Sequence, residues 1–138
     1  RQGISTSTAM EGALKLKETA YVHAEAYPAG ESKHGPIAII EPGFPVIFIA
    51  PPDENYDKLV RNLSEVKSYQ AKIISVVQEN DSQVRGLSDD SISIPETEAI
   101  FTPITYVIPL QLFAYFSAFK RGYDPDKPRH LVKAITEP

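Results

Sequence analysis

Glu11, Lys15 and Glu18 are the side chains of this 138-residue chain whose types and spacing most readily do chemistry. Separations of four and then three residues put all of them on one face of a helix. A carboxylate beside an ammonium on a rigid element can take up a proton and steady the charge left behind. The same spacing equally describes an ion-pair ladder facing water, and spacing alone leaves both readings open. His34 lies in the polar stretch PAGESKHGP at 28–36. It is either a turn-capping loop residue or a donor that titrates near neutrality from an exposed position. Lys133 sits near the C-terminus, where a lysine is ordinarily solvated. Its apolar neighbours Leu131, Val132, Ala134 and Ile135 would favour the neutral amine were the tail packed down. His23 and His130 read as structural. With no cysteine and no His-x-x-x-His pair, a metal site is not expected.

The elements that must position these groups follow from the hydrophobic pattern. The spacing predicts a first helix over about 9–24, burying Met10, Ala13, Leu14, Ala20, Tyr21 and Ala24. GISTST at 3–8 reads as a loop into that helix, its hydroxyls at Ser5, Thr6, Ser7 and Thr8 free to cap it or to meet an anion. Pro28 and Gly30 mark the end of the element. FPVIFIA at 44–50 is a continuous apolar run, a strand buried on both faces, stopped by Pro51 and Pro52. Tyr56, Leu59, Val60, Leu63 and Val66 recur at helical spacing over 55–69. KIISVV at 72–77 is a second buried strand, 78–90 a polar surface connection, and SISIP at 91–95 a short third strand. A long apolar helix at about 98–121, kinked or interrupted by its prolines, completes the chain.

Strands alternating with helices imply an α/β fold, a parallel sheet with helices on both faces. The length suits one domain, and 42% hydrophobic with 23% charged residues describes a globular chain. A net charge of −4 argues against nucleic acid but not against a small anionic ligand, whose site depends on local fields. The N-terminus has no apolar core long enough for a secretory signal. Ile100–Phe119 carries no charge, yet Pro103, Pro109 and Gln111 within it favour a buried helix over a membrane span. No internal repeat or low-complexity segment is found.

Three blocks carry a resemblance, in order: EGALKLKE with AEAYPAGESKHGP at 11–36, ITYVIPLQLFAY at 104–115 and PRHLVKAIT at 128–136. Together they resemble the sugar isomerase (SIS) domain of the glutamine–fructose-6-phosphate aminotransferase family, the glucosamine-6-phosphate synthases. The resemblance implies a three-layer, flavodoxin-like α/β fold, with residues 1–138 as a single SIS domain, the C-terminal half of a two-SIS isomerase region. In that family a strand precedes a GRG-like turn. Because the sequence starts inside that turn at Arg1, the sheet is expected to lack its first strand, which an upstream segment would supply.

By the same resemblance Glu18 matches the glutamate that shuttles a proton between C1 and C2 of the sugar, and Lys15 the lysine supporting it. Lys133 matches the amine that captures the open-chain ketose as a Schiff base. His34 matches the ring-opening histidine given across a dimer interface, with Glu31 and Lys33 orienting it. Val132 and Glu11 fall beside the substrate; Val132 stands where the family often has alanine. The activity implied is the isomerase part of glucosamine-6-phosphate synthesis from fructose-6-phosphate and glutamine-derived ammonia, without cofactor or metal. A related glucosamine-6-phosphate deaminase is the alternative, and a non-catalytic sugar-phosphate-binding SIS module a third reading. The family's phosphate-holding loop, S-x-S-G-x-T, is absent from the chain, so the isolated chain is expected to bind fructose-6-phosphate weakly and turn over poorly. A cytoplasmic homodimer with an upstream SIS half and a glutaminase domain completes the expectation. It requires Glu18 and Lys133 to face one cleft beyond the strand ends.

Overall fold

Aliphatic runs without intervening charge build the sheet. In the computed structural model, which describes residues 4–131, they form β1 (Pro45–Ala50), β2 (Lys72–Gln78) and β3 (Asp90–Ile94), in the order β1-β2-β3. Both pairings are parallel, from Pro45 beside Lys72 to Ala50 beside Val77, and from Ile74 beside Asp90 to Gln78 beside Ile94. Parallel neighbours need crossovers. These carry α2 (Tyr56–Ser68) between β1 and β2, and α3 (Ser82–Leu87) between β2 and β3. Ahead of β1 lie α1 (Ile4–Lys15), one π-helical turn (Leu16–Ala20) and two 3-10 turns (Ala29–His34 and Pro36–Ile39). After β3 come a 3-10 turn (Ala99–Phe101) and α4 (Thr102–Lys120).

Strand β2 is central, and Ile73, Ser75, Val76 and Val77 are fully buried because both of its faces are covered. On one face Phe48, Ala50, Ile73 and Val77 pack with Leu63 and Val66 of α2 and Val84 of α3. On the other, Ile49, Val76 and Ile94 pack with Tyr106 and Leu110 of α4. The result is the three-layer parallel α/β arrangement that the alternation implies. The Tyr106 hydroxyl donates to the Ala50 carbonyl at 3.0 Å, tying α4 to the end of β1. Burial raises the Tyr106 pKa, so the phenol stays a neutral donor.

Several boundaries differ from the pattern-based expectation. The stretch expected to be a loop is helical from Ile4, so Ser5–Thr8 lie within α1 rather than ahead of it, and Thr8 is buried. The first helix ends at Ala20, not Ala24. Tyr21 turns left-handed at φ 54°, ψ 38°, and its N–H closes on the Leu16 carbonyl. Met10 and Leu14, expected inside, are 59% and 41% exposed. The 78–90 connection contains α3, capped by the Asp81 carboxylate accepting from the Val84 N–H at 3.0 Å, and Val84 is buried. Helix α4 is not buried all round. Tyr106, Leu110, Ala114 and Ala118 are covered, while Ile104, Ile108, Leu112, Phe116 and Phe119 are exposed. It continues through Pro109, and Pro103 sits in its first turn, where the missing N–H is not needed. Ala99–Lys120 is long and apolar enough to cross a membrane, but one stripe of it is packed on the sheet and on α1.

Candidate functional site

Close packing of α1 on α4 sets the face that carries the charged triplet. Gly12 lies so near α4 that a Cβ there would meet the Leu110 side chain at 2.8 Å. Two turns on, the Thr19 hydroxyl donates to the Lys15 carbonyl at 2.8 Å and reaches the Ala114 carbonyl of α4 at 3.4 Å. The neighbouring flank presents Glu11 and Lys15 of α1 together with Glu18 of the turn that follows it. Lys15 Nζ donates to Glu18 Oε2 at 2.8 Å and lies 3.4 Å from Glu11 Oε1. The hydrogen bond to Glu18 is the largest influence on Lys15 and raises its pKa against a smaller opposing effect of burial, with Glu11 adding to the rise. Lys15 is thus a fixed cation across the neutral range, holding the Glu18 carboxylate in one orientation.

Glu18 lies in the π-helical turn, not in α1 proper, and it lines an open cavity of about 400 Å³. Lys17, Tyr21, Arg129, His130 and Leu131 form the rest of its wall. The cavity thus lies between the Glu18 turn and the last described residues of the chain. No strand-end residue lines it. The crevice beyond the carboxyl ends of the strands is a second cavity of about 770 Å³, whose lining includes Ala50, Tyr56, Gln78 and Asp81 but not Glu18.

The other residues predicted from sequence sit as follows. Glu11 is half-exposed beside Lys15. His34 ends the first 3-10 turn, exposed, and does not line the Glu18 cavity. That turn is fixed to α2: Asn62 Nδ2 donates to Ser32 Oγ at 2.7 Å, and Lys33 pairs with Glu65 at 2.7 Å. Lys33 thus braces the His34 turn, while Glu31 has no recorded partner among the described residues. Val132 and Lys133 lie outside the described residues, one and two positions after Leu131 in the sequence, and Leu131 lines the cavity. His23 is solvent-exposed and 3.5 Å from Glu25, whereas His130, read from sequence as structural, lines the Glu18 cavity. Among the described residues no cluster of His, Cys, Asp or Glu is arranged to hold a metal ion.

Sequence reasoning gave Arg129 no role and Tyr21 only a place on the apolar side of the first helix. The Arg129 backbone N–H donates to the Tyr21 hydroxyl at 2.9 Å, and its guanidinium lies 4.5 Å from the Tyr21 ring centre and 5.0 Å from that of Tyr123. Periodicity carries no signal for a contact across 108 positions. The only pointer is that Arg129 belongs to the same PRHLVKAIT block as Lys133.

This fold belongs to a known class. Residues 2–121 match the SIS domain, and the chain belongs to that family. The particular relatives are narrower. The chain is 53% identical over 135 residues to glutamine–fructose-6-phosphate aminotransferase (isomerizing) of Pyrobaculum aerophilum, covering 98% of this chain and 22% of that protein. It is 52% identical over 128 residues to the enzyme of the same name from Aquifex aeolicus, covering 93% and 22%. The chain therefore spans about a fifth of the length of these relatives. Among solved structures, the C-terminal domain of glucosamine-fructose-6-phosphate aminotransferase from Francisella tularensis superposes with a TM-score of 0.79 at 40% identity, over 86% of this chain and 34% of that one. A glucosamine-6-phosphate deaminase from Thermotoga maritima gives 0.67 at 28% identity, over 94% and 37%.

Proposed function

We propose that residues 1–138 are one SIS unit, the C-terminal half of the isomerase region of a glutamine–fructose-6-phosphate aminotransferase. In this reading the unit moves a proton from C1 to C2 of the fructosimine formed from fructose-6-phosphate and ammonia, giving glucosamine-6-phosphate. One observation carries it. The Glu18 carboxylate, fixed by Lys15 at 2.8 Å, lines the same cavity as Arg129–Leu131, the residues that lead into Lys133.

Glu18 is the base that removes the C1 proton and returns a proton at C2. Lys15 orients it and supplies positive charge beside the electron density that develops on the sugar. Lys133 is the amine that condenses at C2 of the open-chain ketose with loss of water; ammonia then adds to that imine and the Lys133 amine leaves, giving the fructosimine, while Val132 and Glu11 border the sugar. His34 does not line this cavity; in this reading it opens the sugar ring in the site of a second copy. The phosphate is held by an upstream SIS half, and ammonia arrives from a glutaminase domain. The setting is cytoplasmic.

The test uses the full-length protein. Glu18→Gln keeps the shape and removes the base, so conversion of fructose-6-phosphate and glutamine to glucosamine-6-phosphate is expected to fall roughly 10²- to 10⁴-fold. Undiminished turnover would overturn the assignment. The likeness to the Thermotoga maritima deaminase supports a second reading, in which the same groups run the isomerisation toward fructose-6-phosphate and ammonia. Ammonia released from glucosamine-6-phosphate, with no product from glutamine, would select it. A sensing module needs neither base nor amine, so the joint presence of Glu18, Lys15, His34 and Lys133 counts against the non-catalytic reading.

A further inference from the structure

We propose that Thr19 is a positioning residue for Glu18: its hydroxyl latches the π-helical turn that carries the carboxylate onto α4. This rests on the reading of Glu18 as the base and adds the residue that sets where the base stands. Thr19 does not line the Glu18 cavity. Its effect on the reaction therefore passes through the turn.

π-Helical backbone is rare, occurs mostly as single turns, and is frequent at functional sites. In Leu16–Ala20 the end of the turn is closed by the Tyr21 and Val22 N–H groups, which both donate to the Leu16 carbonyl, the second at 3.3 Å. The start is where Thr19 acts. An α-helix would join the Lys15 carbonyl to the Thr19 N–H. In the wider turn the Thr19 hydroxyl donates to that carbonyl at 2.8 Å. The same oxygen lies 3.4 Å from the Ala114 carbonyl of α4, so one hydroxyl ties the turn to its own helix and to the neighbouring one.

These contacts close a ring around Glu18. Lys15 meets the turn twice: its carbonyl accepts from Thr19 and its ammonium donates to Glu18, both at 2.8 Å. Ala20, fully buried, seats the turn against the domain, but an apolar contact has no direction. Among the described residues the Thr19 hydroxyl makes the one hydrogen bond between this turn and α4. Without it the Lys15–Glu18 pair survives, because the long lysine side chain follows the carboxylate. The pair is then free to shift as a unit against α4. The reaction feels such a shift, since misplacing a catalytic group by about 1 Å costs on the order of 10²-fold in rate.

The experiment measures conversion of fructose-6-phosphate and glutamine to glucosamine-6-phosphate by the full-length protein, with rates referred to folded enzyme. Thr19→Val keeps the shape and removes the hydroxyl. It is expected to lower kcat at least roughly fivefold while KM stays within about twofold of wild type. Thr19→Ser restores the hydroxyl and is expected to return kcat to within about twofold of wild type. In a Glu18→Gln background, where no base is left to place, Thr19→Val is expected to change the residual rate less than about twofold. Thr19→Ala also lacks the hydroxyl and is the better helix former, so it stands as the test should the valine variant fail to fold. Wild-type kcat in a folded Thr19→Val or Thr19→Ala protein overturns the latch and leaves Glu18 as the base. So does an equal fall in the presence and absence of Glu18, or no recovery in Thr19→Ser. Undiminished turnover in Glu18→Gln alone removes the base, and the latch with it.

Discussion

Lys15 stands between two carboxylates of unequal reach, 2.8 Å to Glu18 and 3.4 Å to Glu11. All three side chains are about a third exposed, so each ion pair stabilises the fold by no more than about 1 kcal/mol. Their worth is orientation. Lys15→Met is therefore expected to leave thermal stability nearly unchanged while lowering kcat at least about tenfold; kcat within twofold of wild type would show that Glu18 needs no guide. Glu11→Gln, which removes the weaker partner, is expected to do much less in the same assay. The pH dependence has a definite sign. The folded-state pKa of Lys15 is raised above 10.5, so its stabilising pairing is complete below that value and is lost only as pH rises past it. The alkaline limb of an activity profile between pH 6 and 9 is accordingly expected to be the same in wild type and Lys15→Arg; a shifted limb would assign that titration to Lys15. The pair at 15 and 18 was legible because its geometry is local, two side chains three positions apart along continuous helical backbone. Tyr21 and Arg129 were not, because a stack of rings and guanidinium between distant segments leaves no periodic trace.

At the scale of elements, the strands and α2 and α4 were readable from apolar runs and helical spacing. The start of α1 was not. Its serines and threonines favour caps over helix interiors, so local propensity pointed to a loop. Packing of α1 against α4 overrode that preference, and at Gly12 the two approach closely. Gly12→Ala measures this contact. Alanine gains roughly 1 kcal/mol of helix propensity over glycine, but overpacking a core costs about 1–3 kcal/mol. The new Cβ would lie 2.8 Å from Leu110 Cδ1 and 3.1 Å from its Cβ, the latter unable to swing away. The clash wins, so Gly12→Ala is expected to lower stability by about 1 kcal/mol in denaturant unfolding. In a Leu110→Ala background the same change is expected to become neutral or stabilising. Additive effects in that double-mutant cycle would show that the helices do not touch there.

At the scale of the molecule, the described residues leave much unpaired. Strand β1 ends the sheet on one side, and α4 exposes Ile104, Ile108, Leu112, Phe116 and Phe119 along its outer flank. An open apolar edge and a wide apolar helix face invite association. Residues 1–138 expressed alone are expected to self-associate, and Ile104→Lys with Phe119→Lys to reduce that association in sedimentation; a chain that stays monomeric at high concentration contradicts this. Sequence periodicity read α4 as buried because apolar composition does not say which neighbour covers a face. His34 belongs to this scale too: its turn is held on α2 through Ser32 and Lys33, and it does not line the Glu18 cavity. Mixed and reassociated full-length Glu18→Gln and His34→Ala proteins, each inactive alone, are expected to regain activity if one copy's histidine serves the other's site. No recovery would confine His34 to its own chain.

The account depends most on the carboxylate of Glu18 and the amine of Lys133 sharing one cavity. Borohydride reduction of the full-length protein with fructose-6-phosphate addresses that meeting directly when done in wild type and in Glu18→Gln. The account predicts a sugar-phosphate adduct on Lys133 in both, with proton exchange between C1 of the trapped sugar and solvent only in wild type. An adduct on any other lysine, or exchange that persists without Glu18, would contradict it.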